Sequence, residues 1–62
     1  MEFAIYEVDK ATKKIKRKFM KFSNVSQVIE FDVLNFIDVL SARTNRCYAL
    51  TFNKRIVYSP LE

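Results

Sequence analysis

The chain has no histidine, no glycine and no tryptophan, and it contains one cysteine, Cys47, and one proline, Pro60. Without histidine it lacks the side chain that most often transfers protons near neutral pH, and a nucleophilic Cys47 would have no imidazole base. Without glycine it lacks the phosphate-binding loop and the glycine-containing RNA-binding motifs. No residues have the spacing of a zinc site. We therefore predict a non-enzymatic protein without cofactor or metal, in which Cys47 is a small strand residue.

The length of 62 residues limits the chain to one domain, which we predict over residues 1–60. No apolar run has membrane-spanning length, and the first residues lack the pattern of a signal peptide. With one unpaired cysteine, the predicted location is the reducing cytoplasm. Leu61 and Glu62 match a common cloning-site remnant, although they could be native, so no structural prediction is based on them.

Four segments have the composition of strands. They are Glu2 to Val8, Lys14 to Phe22, Arg46 to Phe52 and Arg55 to Ser59. Between the first two, Asp9 can cap a turn with its carboxylate, and Lys13 falls at a position that often needs positive φ. Between the last two, Asn53 and Lys54 fit a two-residue hairpin turn.

One helix is predicted between the hairpins, from about Val25 to Arg43, with Asn24 as its N-cap and Asn45 as its left-handed stop. Seven apolar residues recur at the three- and four-residue spacing of one helix face: Val25, Val28, Ile29, Val33, Phe36, Ile37 and Leu40. The many β-branched residues lower the helix propensity, so a strand over Gln27 to Val33 is the competing prediction. The expected fold is α+β, ββαββ, an antiparallel sheet of two hairpins with one helix on one face.

Positive charge is concentrated in the first hairpin, although the net charge of the chain is only +4. Seven basic residues and no acidic residue lie between positions 10 and 21: Lys10, Lys13, Lys14, Lys16, Arg17, Lys18 and Lys21. Basic side chains beside aromatic rings can bind phosphates and stack on bases. We therefore predict a nucleic-acid-binding surface formed by Lys14, Lys16, Arg17, Lys18, Lys21 and Phe22. Further candidate stacking residues are Tyr6, Tyr48 and Tyr58. The competing explanation is that lysines on an edge strand only prevent aggregation.

The first hairpin has apolar residues on both faces. If the helix covers Ala4, Tyr6, Val8, Ile15 and Phe19, then the far face carries Phe3, Ile5, Met20 and Phe22 beside several lysines. Such a face would need a partner. On the helix, Phe31 and Leu34 lie outside the apolar stripe, where they either wrap the edge of the core or belong to an interface. The alternative prediction is thus a protein-interaction module, homodimeric or a small inhibitor or antitoxin-like regulator. Its candidate interface residues are Phe3, Ile5, Met20, Phe31 and Leu34.

A chain of this size buries only about 60% of its surface on folding, so the stability of the monomer is marginal. This margin adds weight to an association with a second copy or another protein. Exposed strand edges are available for pairing with a partner strand. Nucleic acid and protein are both retained as partner classes, with no membrane and no small-molecule ligand predicted.

Overall fold

Two hairpins and a helical connection make up the computed structural model, which describes residues 2–60. The strands are β1 (Phe3–Val8), β2 (Ile15–Phe22), β3 (Cys47–Phe52) and β4 (Arg55–Tyr58). The helices are α1 (Val25–Glu30) and α2 (Val33–Thr44). The strands form one antiparallel sheet in the order β2-β1-β3-β4. The predicted ββαββ order is confirmed, while the prediction for Leu61 and Glu62 lies outside the described residues.

The turns are made without glycine, as the composition requires. In the first hairpin, the Asp9 carboxylate accepts hydrogen bonds from the amides of Ala11 and Thr12, at 2.8 and 3.1 Å. These hydrogen bonds lower the pKa of Asp9 below its usual value, and the bond from Thr12 has the larger effect. Lys13 has the predicted positive φ, 60°. In the second hairpin, Asn53 and Lys54 both have positive φ, which is the conformation of a type I′ turn.

The helical segment differs from the prediction because it is broken at Phe31 and Asp32. The side-chain oxygen of Asn24 accepts a hydrogen bond of 3.1 Å from the backbone amide of Gln27, so the predicted N-cap is confirmed. Asp32 then adopts a left-handed conformation, φ 49° and ψ 55°, and its backbone carbonyl accepts the Phe36 amide as the first turn of α2 forms. The prediction of one continuous helix from Val25 to Arg43 was therefore wrong. The competing strand over Gln27 to Val33 does not form either. The left-handed stop at Asn45 is confirmed.

The core lies between the sheet and the helices. Its buried residues are Ile5, Phe22, Val33, Ile37, Tyr48 and Leu50. The prediction that the helix covers Ala4, Tyr6, Val8 and Ile15 was wrong: Val8 and Ile15 belong to a separate cluster with Cys47, Ala49 and Ile56. Phe3, Ile5, Met20 and Phe22 instead share the helix side, because Phe3 pairs with Phe22 and Ile5 with Met20.

Two irregularities in β2 explain why simple alternation failed. The pairing of β1 with β2 shifts between Ile5 and Tyr6 and again between Glu7 and Val8. The first shift leaves Phe19 as an extra residue between Lys18 and Met20. Since an extra residue interrupts the alternation of side chains, both Phe19 and Met20 reach the helix side. Consequently the faces of β2 could not be assigned from period-two spacing alone.

Candidate functional site

The edge strand β2 carries the predicted basic surface. Within residues 2–60 it pairs with β1 alone, so its other edge is open. The Glu7 side chain, 11% exposed, lies within ion-pair distance of three cations, Lys16 at 3.7 Å, Arg17 at 3.4 Å and Arg46 at 3.8 Å. Lys18 contacts Glu2 at 3.2 Å. One buried carboxylate thus contacts two cations of β2 and the arginine that directly precedes β3.

The remaining basic residues of the prediction are exposed. Lys14 and Lys21 form no ion pair with any other described residue. The Lys18 ammonium also lies 5.9 Å from the centre of the Tyr6 ring. Because Lys21 pairs with Ala4 and Lys18 with Tyr6, these two lysines lie on the face opposite the helices. The structure therefore spreads the basic residues over both faces of β2 and over the turn before it.

The rings predicted to stack on bases do not form a surface. Phe22 is 5% exposed and belongs to the core, so its assignment as a nucleic-acid-binding residue was wrong. Tyr6 and Tyr48 are also buried. Tyr58 is half-buried, and its hydroxyl donates a hydrogen bond of 2.7 Å to the Asp38 carboxylate. This hydrogen bond raises the pKa of Tyr58 above its usual value.

The predicted interface residues differ in their exposure. Ile5 is fully buried between the sheet and the helices, so its assignment to an interface was wrong. Phe3 is half-buried and packs against Phe52, with 4.7 Å between ring centres. Met20, Phe31 and Leu34 are exposed on the helix side of the sheet, not on the far side where Met20 was expected. The helix break leaves Phe31 beside Phe22, with their ring centres 6.3 Å apart.

Four large apolar side chains meet between β2 and the helices. They are Phe19, Met20, Phe31 and Phe36, which are 48, 41, 62 and 40% exposed. We call this group the aromatic cleft. Phe22 and Val33 form its floor, and a cavity of about 90 Å³ opens between them and the exposed side chains of Met20, Phe31 and Phe36. Small-molecule pockets have volumes of about 300–1,000 Å³, so this cavity has room for one apolar side chain rather than for a cofactor.

The cleft is open because α2 does not cover β2. α2 packs against β3, and α1 contacts β2 near its end. Phe19 lies between β3 and α2, with its ring centre 5.3 Å from that of Tyr48 and 6.5 Å from that of Phe36. The sequence analysis placed Phe19 on the sheet face that the helix covers and Phe36 in the apolar stripe of the helix, so it predicted neither to be exposed. The signal that could have identified them is their combination with Phe31 and Met20, an excess of large apolar residues for one short helical segment to cover.

Other arrangements of side chains offer little chemistry. The described residues contain no group of three or more acidic or cysteine side chains that could hold a metal ion. Cys47 is a residue of β3, as predicted, and it is buried with its sulfur 3.7 Å from the Ser59 hydroxyl. Neither helix in residues 2–60 has the length and apolar character needed to cross a membrane.

Comparisons with protein-family models, with curated proteins and with solved structures found no match to this chain. The functional proposal accordingly rests on the geometry of the aromatic cleft and of the basic strand beside it.

Proposed function

We propose that this protein is a non-catalytic protein-interaction module that binds a segment of another protein in the aromatic cleft. The observation that carries this proposal is the exposure of Met20, Phe31 and Phe36 around a cavity the size of a side chain, with the exposed Phe19 ring beside Phe36. Clustered exposed apolar residues mark interaction sites, and aromatic side chains supply most of the binding energy at such sites. Phe22 and Val33 are buried in the core, which favours a site that is formed before the partner arrives.

Nucleic-acid binding has weaker support. Single-stranded nucleic acid needs accessible rings for stacking, and three of the four predicted rings, Tyr6, Phe22 and Tyr48, are buried. Lys16, Arg17 and Lys18 already lie beside carboxylates. The net positive charge of β2 instead suits the attraction of an acidic protein surface, which raises the association rate. Phe19 and Phe36 are exposed and could stack on bases, so the experiment must distinguish nucleic-acid binding from peptide binding.

The experiment is a selection of random peptides displayed on phage against the immobilised protein. Enriched peptides are synthesised with a fluorescent label, and their Kd is measured by anisotropy for the native protein, Phe31→Ser and Val57→Ser. Val57 is the matched control because it is 56% exposed on β4, away from the cleft. We expect Phe31→Ser to weaken binding by roughly tenfold or more, as loss of an aromatic anchor does, and Val57→Ser to leave it unchanged.

Two results would count against the proposal. The first is an absence of peptides that bind the native protein more tightly than Phe31→Ser, with circular dichroism showing that both are folded. The second is tight, salt-sensitive binding of a labelled single-stranded oligonucleotide that Phe31→Ser leaves unchanged and Lys21→Glu abolishes. That second result would establish the basic strand as a nucleic-acid surface instead.

A further inference from the structure

We infer, on the basis of the proposed function, that the partner segment binds as an extended strand added to the open edge of β2, and that its apolar residues alternate with acidic residues. Adding a strand to a sheet edge is a common way to bind a peptide. Main-chain hydrogen bonds then provide affinity, and the side chains on the two faces of the sheet determine specificity.

The backbone of β2 is the first part of the argument. β2 is eight residues long and has no neighbour on its outer side among residues 2–60. About half of the main-chain N–H and C=O groups of an edge strand point outward and can pair with another chain. The opposite edge, β4, is only four residues long, so it offers a shorter template. The aromatic cleft adjoins β2 and not β4.

The two faces of β2 set the pattern of the partner. On the helix side, β2 presents Phe19 and Met20 to the cleft. On the opposite side it presents Lys21, which has no ion pair with a described residue, and Lys18, which contacts Glu2. Successive residues of an added strand point to opposite faces. A partner strand would therefore place every second residue against the aromatic cleft, where an apolar side chain fits, and the residues between them beside the lysines, where a carboxylate fits.

Charge excludes a second copy of this chain as the occupant. Four of the eight residues of β2 are Lys or Arg and none is acidic, so two β2 edges in contact would place cations opposite one another. β4 begins at Arg55, directly after Lys54, so pairing of β2 with β4 of another molecule meets the same repulsion. Lysines and irregular pairing on an edge strand are typical protection against self-association. In this protein the same lysines would admit an acidic strand.

The test uses three labelled octapeptides with blocked termini. The first alternates leucine with glutamate, the second alternates leucine with lysine, and the third has the composition of the first in two blocks, four leucines and then four glutamates. We expect the alternating acidic peptide to bind at least about tenfold more tightly than either control, with affinity falling as salt concentration rises. Lys21→Glu should weaken its binding by roughly tenfold, the effect of replacing an attraction by a repulsion.

Backbone pairing has its own measurement. In the complex, hydrogen exchange should slow at amides of β2 and remain unchanged at amides of β4. N-methylation of alternate peptide amides should abolish binding when it blocks the edge that faces β2, and preserve binding when it blocks the other edge. Binding that survives both methylation patterns would overturn strand addition.

Failure of this inference can be distinguished from failure of the proposed function. Equal binding of the block or lysine peptide, no binding of the alternating acidic peptide, or a salt-resistant dimer in sedimentation would each overturn the inference. The proposed function would stand in the first two cases if phage-selected peptides still depend on Phe31. It would fall if no selected peptide depends on Phe31, whatever the octapeptides do.

Discussion

The two flanks of the sheet face that the helices cover, one at β3 and one at β2, carry similar apolar residues with very different exposure. On the β3 flank, Tyr48 and Leu50 are each 6% exposed and pack with Ile37 of α2. On the β2 flank, Phe19 and Met20 have the same apolar character, yet nearly half of each is exposed. Both flanks belong to one sheet only four strands wide. The comparison shows that the position of the helix, and not the hydrophobicity of the strand, separates core from surface in this domain.

The helix break explains how one connection produces two such different flanks. α2 starts after Asp32 and packs against β3, while α1 remains near the end of β2. Neither helix then covers the middle of β2. In a domain of this size the volume available for a core is small, so apolar residues in excess of it remain on the surface. Those residues are the aromatic cleft.

The largest difference between the two flanks is expected at Ile37, a residue of α2 that is fully buried against the sheet. Ile37→Ala should lower the free energy of unfolding by about 3 kcal/mol, because it removes buried methyl groups and leaves a cavity. Phe31→Ala, on the open flank, should lower it by less than about 1 kcal/mol, because Phe31 is 62% exposed. Urea denaturation of the two variants measures both values. Equal losses would show that the β2 flank is as much a part of the core as the β3 flank.

A smaller effect is expected at Asp32, the residue that separates the two flanks. Asp32→Ala should lower the free energy of unfolding by about 1 kcal/mol, because alanine is strained in the left-handed conformation that aspartate and asparagine tolerate better. Asp32→Asn is the matched variant, and its stability should be close to that of the native protein. Urea denaturation gives the stabilities, and far-ultraviolet circular dichroism gives the helix content. An Asp32→Ala variant that gains both stability and helical signal would contradict the broken helix.

The smallest effect concerns Tyr58, which ties β4 to α2 on the β3 flank through Asp38. The pKa of Tyr58 is raised in the folded state, so the contribution of its hydrogen bond is fully present below the unfolded pKa, about 10. That contribution is lost as pH rises through the higher folded pKa. Tyr58→Phe should therefore have a slightly lower Tm than the native protein at pH 7, and the difference should disappear at strongly alkaline pH. Thermal melts of both proteins across this range test it, and a difference that grows with pH would exclude the assigned cause.

Local signals in the sequence were sufficient for most of the secondary structure. Asp9, Asn24, Asn45 and Asn53 each predicted a cap or turn that the structure confirms, because short polar side chains bond to nearby amides or tolerate positive φ. The strand bounds agree with the prediction to within about one residue. The break at Asp32 was not predicted, since its apolar neighbours continue the helical spacing on both sides of it.

The candidate site could be predicted only in part. Met20, Phe31 and Leu34 were candidate interface residues and are exposed, although on the helix side of the sheet. Ile5 and Phe22 were assigned to surfaces and are buried. The error came from the choice of the covered face, because Phe3, Ile5, Met20 and Phe22 share one face of the hairpin as predicted, but that face is the one that the helices cover.

The sequence by itself determined the ββαββ order, the turns without glycine and the concentration of positive charge in the first hairpin, because these depend on residues close together in the chain. The tertiary structure decided which face of the sheet the helices cover, which rings remain exposed, and that Glu7 holds three cations from two strand regions. These features depend on strand register and on the direction that α2 takes after Asp32. Both arise from packing between residues far apart in the chain, for which local spacing carries no information.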